Sequence, residues 1–185
     1  MSGQQELSGR VLYIVTCATP AARDIGKLVT LAQASGWRPF VIATPSALRF
    51  IDQPALETQT GDPVRSDYKQ PGSPDVLPPA DAIVVGGASF NTINKWAAGI
   101  SDTLALGLLT ESIGLGLPLA ALPFLNAAQA AHPAFGRSVK ELRDAGVKVL
   151  LGSEGYEPHV PHQGSKYLAQ YPWHVVLAAV ESGKE

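Results

Sequence analysis

Small polar side chains follow an apolar segment near the middle of this sequence. The stretch GASFNTINKWAAGISD comes just after the apolar run AIVV at 82–85, and it carries Ser89, Asn91 and Thr92. Hydroxyl and amide groups donate and accept hydrogen bonds, so these residues can hold a phosphate ester or a carboxylate. The same side chains are also preferred helix N-caps. The stretch therefore indicates either a helix cap or a ligand site.

Three other apolar segments end in similar polar turns. These turns are TCAT at 16–19, TPS at 44–46 and PFLN at 123–126. Helix capping explains any one of them. Four such turns at one edge of a sheet favour a ligand site, because helix N-termini also bind anions.

Strand-like and helix-like segments alternate along the chain. Short apolar runs predict strands at 10–16, 38–43, 81–86, 118–122 and 147–151. Helical spacing predicts helices at 20–35, 46–51, 102–113, 137–144 and 173–181, and one more within the GASFNT stretch. The alternation predicts the α/β class, with a single doubly wound, Rossmann-like (flavodoxin-like) parallel sheet and helices on both faces. In such sheets, ligands bind beyond the carboxyl ends of the strands.

Two longer segments do not follow this pattern. Residues 52–80 are rich in proline and predict a long irregular connection with room for one short element. Residues 152–172 are rich in Gly, Pro, Tyr and His and predict a C-terminal loop that can lie over the site. Residues 1–9 predict a polar tail. We expect residues 1–185 to form one domain.

Composition excludes several classes of partner. With 185 residues, 45% of them hydrophobic and 16% charged, the chain can bury a sizeable core. A net charge of −2 gives no footprint for nucleic acid or an anionic membrane, and no apolar run reaches the roughly 18 residues of a membrane span. The polar start lacks a secretory signal, and the one cysteine cannot form an internal disulfide. These features favour a cytoplasmic protein that binds neither nucleic acid nor membranes.

Common nucleotide-binding motifs are missing from the sequence. No GxGxxG follows the first predicted strand, and no GxxxxGK[ST] occurs. The hydroxyl-rich turns therefore favour a mononucleotide with one phosphate over a dinucleotide or ATP.

Three stretches together resemble the motifs of one known family. ADAIVVGGASFNTINKWAAGISDTL resembles a strand followed by P-A-S-A-N-T, a lysine and G-I-x-D-N-L. LPFLNAAQAAHPAFGRSVKELRDAGVKVL resembles a P-x-M-N-x-x-M-W block, and VIATPSALRFI resembles a second strand with a serine turn. These motifs are similar to those of the flavin-containing cysteine decarboxylases. That group includes phosphopantothenoylcysteine decarboxylase and the peptidyl-cysteine decarboxylases of lantibiotic biosynthesis.

The resemblance covers most of residues 10–151 and implies an FMN cofactor. It also implies a homotrimer, or a multiple of trimers, with the flavin near subunit interfaces. By position it implies a cofactor site formed by Thr16, Thr19, Thr44, Ser46, Gly87, Ala88, Ser89, Asn91 and Thr92. Asn91 and Asn126 would orient the carboxylate or enethiolate of a small-molecule or peptide substrate.

The sequence departs from the family at positions that matter for chemistry. Family members carry a histidine that aligns near Ser73, whereas the first histidine of this chain is His132. A histidine there is the natural acid/base partner for thiol oxidation. Gly87, Phe90 and Leu125 replace the family's proline, alanine and methionine. The tail also lacks the late cysteine of the coenzyme A branch.

His159 and His162 lie in the predicted C-terminal loop. They are surface residues, or they replace the missing base if the loop folds over the flavin. A metal site is the weaker interpretation because no third ligand lies nearby in the sequence, so no metal is predicted.

Three other residues are expected to be structural. Cys17 is predicted to be a buried small residue rather than a reactive thiol. Trp96 is predicted to pack at a helix or subunit interface, and His132 replaces a generic family position.

Three functions agree with these observations. The first is a flavoenzyme that oxidises a small-molecule or peptide thiol by hydride transfer to the flavin. The second is a flavin-binding accessory or regulatory protein without decarboxylase activity. The third is a flavin prenyltransferase-like enzyme, although Asn91 and Asn126 favour the cysteine decarboxylase branch. A nucleotide-binding module without flavin is the remaining alternative.

Overall fold

Five parallel strands form the sheet of this protein. The computed structural model describes residues 9–73 and 77–182. The strands are β1 (Arg10–Thr16), β2 (Trp37–Ala43), β3 (Ala82–Ala88), β4 (Leu119–Pro123) and β5 (Lys148–Val149). They lie in the order β2-β1-β3-β4-β5, and each neighbouring pair is parallel. The predicted α/β, doubly wound fold is confirmed.

Seven α-helices cover the sheet. They are α1 (Ile25–Ala34), α2 (Gln53–Thr60), α3 (Phe90–Ala97), α4 (Leu104–Gly114), α5 (Ala127–Ala130), α6 (Pro133–Asp144) and α7 (Trp173–Glu181), counted over the described ranges. Short 3₁₀ segments occupy Pro20–Asp24, Pro45–Arg49, Gly152–Glu154 and Gly164–Gln170.

The two faces of the sheet bury different sets of helices. In β1, Leu12 and Ile14 belong to a buried cluster with α1 and α7, whereas Tyr13 and Val15 belong to a cluster with α3, α4 and α6. This alternation follows from the strand repeat of two residues. Both faces are covered, which explains why the strands read as continuous apolar runs.

The connection between β2 and β3 contains more structure than its composition predicts. Helix α2 begins after Asp52, whose carboxylate accepts a hydrogen bond from the Ala55 N–H at 3.1 Å, and it ends at Gly61 with φ +78°. Pro54 is tolerated because it lies in the first turn, where its missing N–H is not needed.

Several predicted elements differ in extent from the structure, and the predicted helix at 46–51 is the 3₁₀ segment Pro45–Arg49. The predicted helix at 20–35 starts as a 3₁₀ turn, and α1 itself begins at Ile25. Strand β5 pairs only at Lys148 and Val149, so it is shorter than the predicted 147–151. The predicted tail at 1–9 lies outside the described residues except for Gly9.

The C-terminal loop at 152–172 lies against the chain that leaves β4. The Ala127 N–H donates to the His159 carbonyl oxygen at 2.7 Å, and the His159 N–H donates to the Leu125 carbonyl oxygen at 3.3 Å. These bonds form an isolated parallel bridge between Asn126 and His159. The loop therefore joins the edge of the sheet where the polar turns lie.

None of the helices in the described ranges has both the length and the apolar character needed to cross a bilayer.

Candidate functional site

Two adjoining cavities open at the carboxyl edge of the sheet. One, which we call the hydroxyl cavity, has a volume of about 400 Å³ and is lined by Thr44, Ser46 and Asn91 among others. The second, the histidine cavity, has a volume of about 430 Å³ and is lined by Asn126 and His159 among others. The two cavities share Ala18, Ser89, Phe90 and Gln129 as common walls.

The hydroxyl cavity brings five predicted site residues together from two strand exits. These residues are Thr44, Ser46, Ser89, Asn91 and Thr92. Lys95 and Asp102 supply the charges of its lining, and they form an ion pair with each other. The cavity wall is therefore rich in hydrogen-bonding groups and carries little net charge.

Ser89 is the N-cap of α3. Its hydroxyl oxygen accepts a hydrogen bond from the Thr92 N–H at 3.1 Å, and its hydroxyl donates to the Thr92 hydroxyl oxygen at 3.0 Å. The Thr92 oxygen also accepts a bond from the buried Cys17 thiol at 3.3 Å. Ser89 and Thr92 therefore form the cap of α3 and also line the hydroxyl cavity.

Asn91 differs from the other asparagine of its helix. The Asn91 side chain is exposed to the hydroxyl cavity and makes no hydrogen bond within the described part of the chain. Asn94, by contrast, donates to the Phe90 carbonyl oxygen at 2.9 Å and accepts from the Ser138 hydroxyl at 2.7 Å. Asn94 is a structural residue, while the Asn91 amide is free to meet a ligand.

Gly87 adopts a backbone conformation that the proline at this position of the family motif cannot adopt. Its φ is +70°, whereas the proline ring fixes φ near −65°. A Cβ at Gly87 would lie 2.8 Å from the Thr19 hydroxyl, which donates to the Gly87 carbonyl oxygen at 3.1 Å. Gly87 and Ala88 shape the turn, but they line neither the hydroxyl cavity nor the histidine cavity.

Thr16 lies at the end of β1 with its side chain fully buried. It lines neither of the two cavities, and its hydroxyl has no hydrogen-bond partner in the described ranges. A buried hydroxyl without a partner is costly, so it requires an explanation.

The histidine cavity contains Thr19, Asn126 and both loop histidines. The Asn126 side chain caps α5 by accepting from the Gln129 N–H at 2.9 Å, and the Gln129 side chain accepts from the Asn126 N–H at 3.3 Å. This capping box holds the Asn126 oxygen, but the two N–H groups of its amide remain free to donate.

His159 is buried in a cluster of aromatic rings. Its Nδ1 lies 2.7 Å from the Tyr156 hydroxyl, and its ring centroid lies 5.0 Å from Phe124 and 5.8 Å from Tyr167. Burial lowers the pKa of His159 because it disfavours the charged imidazolium. The ring is therefore neutral near pH 7, as an acid/base group requires.

His162 also lines the histidine cavity but is exposed and has φ +65°. That value is unusual for a residue with a side chain. Within residues 9–73 and 77–182, no group of three histidine, cysteine or acidic side chains is placed to hold a metal ion.

The other residues singled out from the sequence have structural contacts. His132 caps α6, since its Nδ1 accepts from the Ala134 N–H at 3.1 Å. Trp96 is buried and donates to the Leu109 carbonyl oxygen at 3.2 Å, which places it between α3 and α4. Cys17 is fully buried, and burial raises the pKa of its thiol. Ser73 is exposed and lines neither cavity.

The site predicted from the sequence does not include the aromatic residues behind the histidine cavity. Tyr156 and Tyr171 come from the loop at 152–172, and each packs against Phe124, with centroid distances of 5.3 and 5.5 Å. The enrichment of tyrosine in this loop could have indicated a packed cluster, because large aromatic rings favour burial over exposure in a solvent loop.

Comparisons with known proteins agree with the fold. A curated relative, the coenzyme A biosynthesis bifunctional protein CoaBC of Bacillus subtilis (strain 168), is 31% identical over 122 residues, covering 63% of this chain and 29% of the relative. The chain thus matches less than a third of that relative's length. In fold, the chain is similar to the FMN-dependent cysteine decarboxylase TvaF from thioviridamide biosynthesis, with a TM-score of 0.67, 22% identity and coverage of 97% of this chain and 100% of TvaF.

A second solved structure has the same fold. The FMN-binding protein AtHal3 has a TM-score of 0.68 and 19% identity, and the match covers 95% of this chain and 99% of AtHal3. The family model described as Flavoprotein matches residues 2–176. The chain therefore belongs to the Flavoprotein family, and its resemblance to the flavin-containing cysteine decarboxylase superfamily is confirmed.

Proposed function

We propose that this chain binds FMN at the carboxyl edge of its sheet and oxidises a small molecule or peptide that carries a thiol and a carboxylate. The observation that carries the proposal is the pair of adjoining cavities, which gather hydroxyl and amide groups from four strand exits. Membership of the Flavoprotein family supports a flavin. The similarity in fold to the FMN-dependent TvaF and the FMN-binding AtHal3 supports FMN in particular.

The residues present fit this cofactor. Each cavity has a volume within the range of about 300–1,000 Å³ that is common for small-molecule sites. The N-terminus of α3 opens at the hydroxyl cavity and favours an anionic group such as a phosphate. The Asn91 amide faces the hydroxyl cavity without a partner among the described residues, so it is a polar group of the kind that a bound ligand satisfies.

The proposed roles follow the sequence-based assignments. Hydrogen-bonding groups and close backbone approaches would hold the cofactor at Thr16, Thr19, Thr44, Ser46, Gly87, Ala88, Ser89, Asn91 and Thr92. Asn126, together with Asn91, would orient the carboxylate or enethiolate of the substrate. FMN, when bound, supplies an acceptor for the electron pair that leaves the substrate.

His159 is the better placed of the two loop histidines to act as a base. In the tautomer whose Nδ1–H donates to the Tyr156 oxygen, Nε2 keeps a free lone pair that can accept a proton. Burial keeps the ring neutral, as this role requires. His162 lines the same cavity but is exposed.

The same proposal includes the organisation of the chain. Residues 1–185 would form one flavoprotein domain, and the protein would assemble as a homotrimer or a multiple of trimers. Size-exclusion chromatography with light scattering tests the assembly, and a monomer at micromolar concentration would contradict it.

A second candidate is a flavin-binding accessory protein without decarboxylase activity. This candidate is supported by the lack of the family's histidine. The exposed Ser73 lies near the position of that histidine, and the sequence has no histidine before His132. A protein with this function would bind FMN but would leave cysteine-containing substrates unchanged.

Two measurements test these proposals. Purified protein should absorb at about 450 nm, or should quench the fluorescence of added FMN. A colourless protein that binds no FMN contradicts both candidates. Incubation with peptides that end in cysteine, or with phosphopantothenoylcysteine, should give the mass loss of oxidative decarboxylation. Bound FMN without any mass loss favours the accessory protein.

A further inference from the structure

The hydroxyl group of Tyr171 joins three points of the backbone at the carboxyl edge of the sheet. It accepts a hydrogen bond from the Gly87 N–H at 3.1 Å. It also donates toward the Leu122 carbonyl oxygen at 2.7 Å and the Pro123 carbonyl oxygen at 3.2 Å. One side chain from the C-terminal loop thus holds the ends of β3 and β4 together.

The end of β3 needs this bond because its ladder is interrupted there. The pairing between β3 and β4 shifts register between Gly86 and Ala88, and Gly87 has no paired residue in either neighbouring strand. Gly87 is buried, and an unsatisfied buried N–H is costly. The Tyr171 oxygen supplies the missing acceptor.

The Tyr171 ring is fixed by its neighbours. It packs edge-on against Phe124, Tyr156 and Trp173, with centroid distances of 5.5, 5.2 and 4.7 Å. Only 5% of the residue is exposed. A side chain held this tightly leaves its hydroxyl little freedom, so the hydroxyl can act as a fixed point for the ends of β3 and β4.

The turn that Tyr171 holds leads directly into the candidate site. Gly87 is two residues before Ser89, which is one of the residues shared by both cavities and the cap of α3. Pro123 is three residues before Asn126, which lines the histidine cavity. A shift at either strand end would move these side chains relative to one another.

We propose that Tyr171 is a positioning residue that sets the distance between the Ser89 and Asn126 sides of the site through its buried hydroxyl. This inference rests on the proposed function, because FMN affinity is one of its two readouts. The role needs no contact between Tyr171 and a ligand. It differs from the role of the cavity-lining residues, since Tyr171 acts through the backbone of β3 and β4.

The test is Tyr171→Phe, which removes the hydroxyl and keeps the ring. We expect the Gly87 amide proton of the apoprotein to exchange about tenfold faster, and the Kd for FMN to rise about tenfold. Tyr13→Phe is the matched control. Tyr13 is also buried and its hydroxyl donates to the Pro78 carbonyl oxygen at 2.5 Å, but it does not line either cavity. The control should keep both values near those of the wild type.

Unchanged FMN affinity in Tyr171→Phe overturns the proposal, and so does an equal loss in the Tyr13→Phe control. Replacement of Tyr171 by p-aminophenylalanine restores a group that donates and accepts, so this variant should recover most of the FMN affinity. The p-aminophenylalanine variant also tests the proposal if Tyr171→Phe does not fold. If the aminophenylalanine protein folds but fails to bind FMN, the positioning role of Tyr171 is overturned. Wild-type protein that binds no FMN contradicts the proposed function instead, and Gly87 exchange then still decides whether Tyr171 holds the turn.

Discussion

The thiol of Cys17 donates a hydrogen bond to the hydroxyl oxygen of Thr92 across 3.3 Å. Cys17 is fully buried, and burial raises the pKa of its thiol, so the sulfur remains protonated and donates. Thr92 in turn accepts from Ser89 on the cavity wall. Cys17 is thus a structural residue that holds Thr92 by a hydrogen bond, and it is not a reactive group of the site.

Cys17 should therefore resist thiol reagents in the folded protein. The reactive species is the thiolate, which burial disfavours. We expect an aromatic disulfide reagent to modify native protein at least about a hundredfold more slowly than protein unfolded in guanidinium. Because this is the only cysteine of the chain, the reaction reports on Cys17 alone. Rapid modification of native protein would instead support a reactive thiol.

Asn91→Ala should weaken FMN binding without loss of stability. The Asn91 amide faces the hydroxyl cavity and has no partner among the described residues, so its removal breaks no contact within the chain. We expect the Kd for FMN to rise about three- to tenfold, and the free energy of unfolding to stay within about 0.5 kcal/mol.

Asn94→Ala is the matched control for Asn91. It removes bonds to Phe90 and Ser138, so it should lower stability by about 1–2 kcal/mol. Titration of FMN and urea unfolding of both variants separate the two effects. Equal FMN affinity in wild type and Asn91→Ala would reduce Asn91 to a surface residue.

Asn126→Asp should separate capping from ligand binding. Aspartate caps helices as well as asparagine does, so α5 should keep its stability. The variant loses the amide donors and gains a negative charge, which should weaken binding of a substrate carboxylate about tenfold or more. Asn126→Ala should lose about 1 kcal/mol of stability as well. Binding of phosphopantothenoylcysteine and thermal unfolding measure the two effects, and unchanged binding in Asn126→Asp would leave Asn126 a cap alone.

Much of the fold and part of the site could be predicted because their signals are local. The continuous apolar runs of β1 and β3 predict buried parallel strands, and Ser89 three residues before Thr92 predicts a cap that the structure contains. Carboxyl ends of parallel strands share one edge, so the polar turns had to lie near one another.

The remaining features depend on contacts between distant parts of the chain. Tyr171 bonds to Gly87, 84 residues away, and no local pattern indicates that partner. The burial of His159 likewise depends on Phe124 and on the bridge to Asn126. Helix α2 was predicted only as room for one short element, because proline-rich composition argues against a helix, although Pro54 lies at a position where proline is tolerated.

Protein stability should fall in mild acid because of His159. Burial lowers the pKa of His159 in the folded protein below its ordinary value of 6.5. As the pH falls through 6.5, the unfolded chain binds a proton before the folded one does, so unfolding becomes more favourable. The contribution is complete above that pH and is lost between 6.5 and the lower pKa of the folded state.

Urea unfolding at about pH 8 and about pH 5.5 checks this dependence. His159→Gln should reduce the difference between the two free energies of unfolding. His174→Gln, at an exposed position of α7, should keep the wild-type difference. An identical difference in wild type and His159→Gln would show that His159 does not couple to folding.

Thr16→Val should stabilise the apoprotein and weaken FMN binding. The Thr16 hydroxyl is buried without a partner among the described residues, so an apolar group of the same shape removes a desolvation cost of about 1–3 kcal/mol. The proposed site counts this hydroxyl among the groups that hold FMN, so its loss should raise the Kd about three- to tenfold. Thr110→Val is the control, because the Thr110 hydroxyl is also buried without a partner among the described residues but belongs to α4 and is not one of the proposed cofactor-binding groups. That variant should gain stability and keep its FMN affinity. If Thr16→Val also keeps its FMN affinity, the Thr16 hydroxyl is a packing defect and Thr16 is not a cofactor-binding residue.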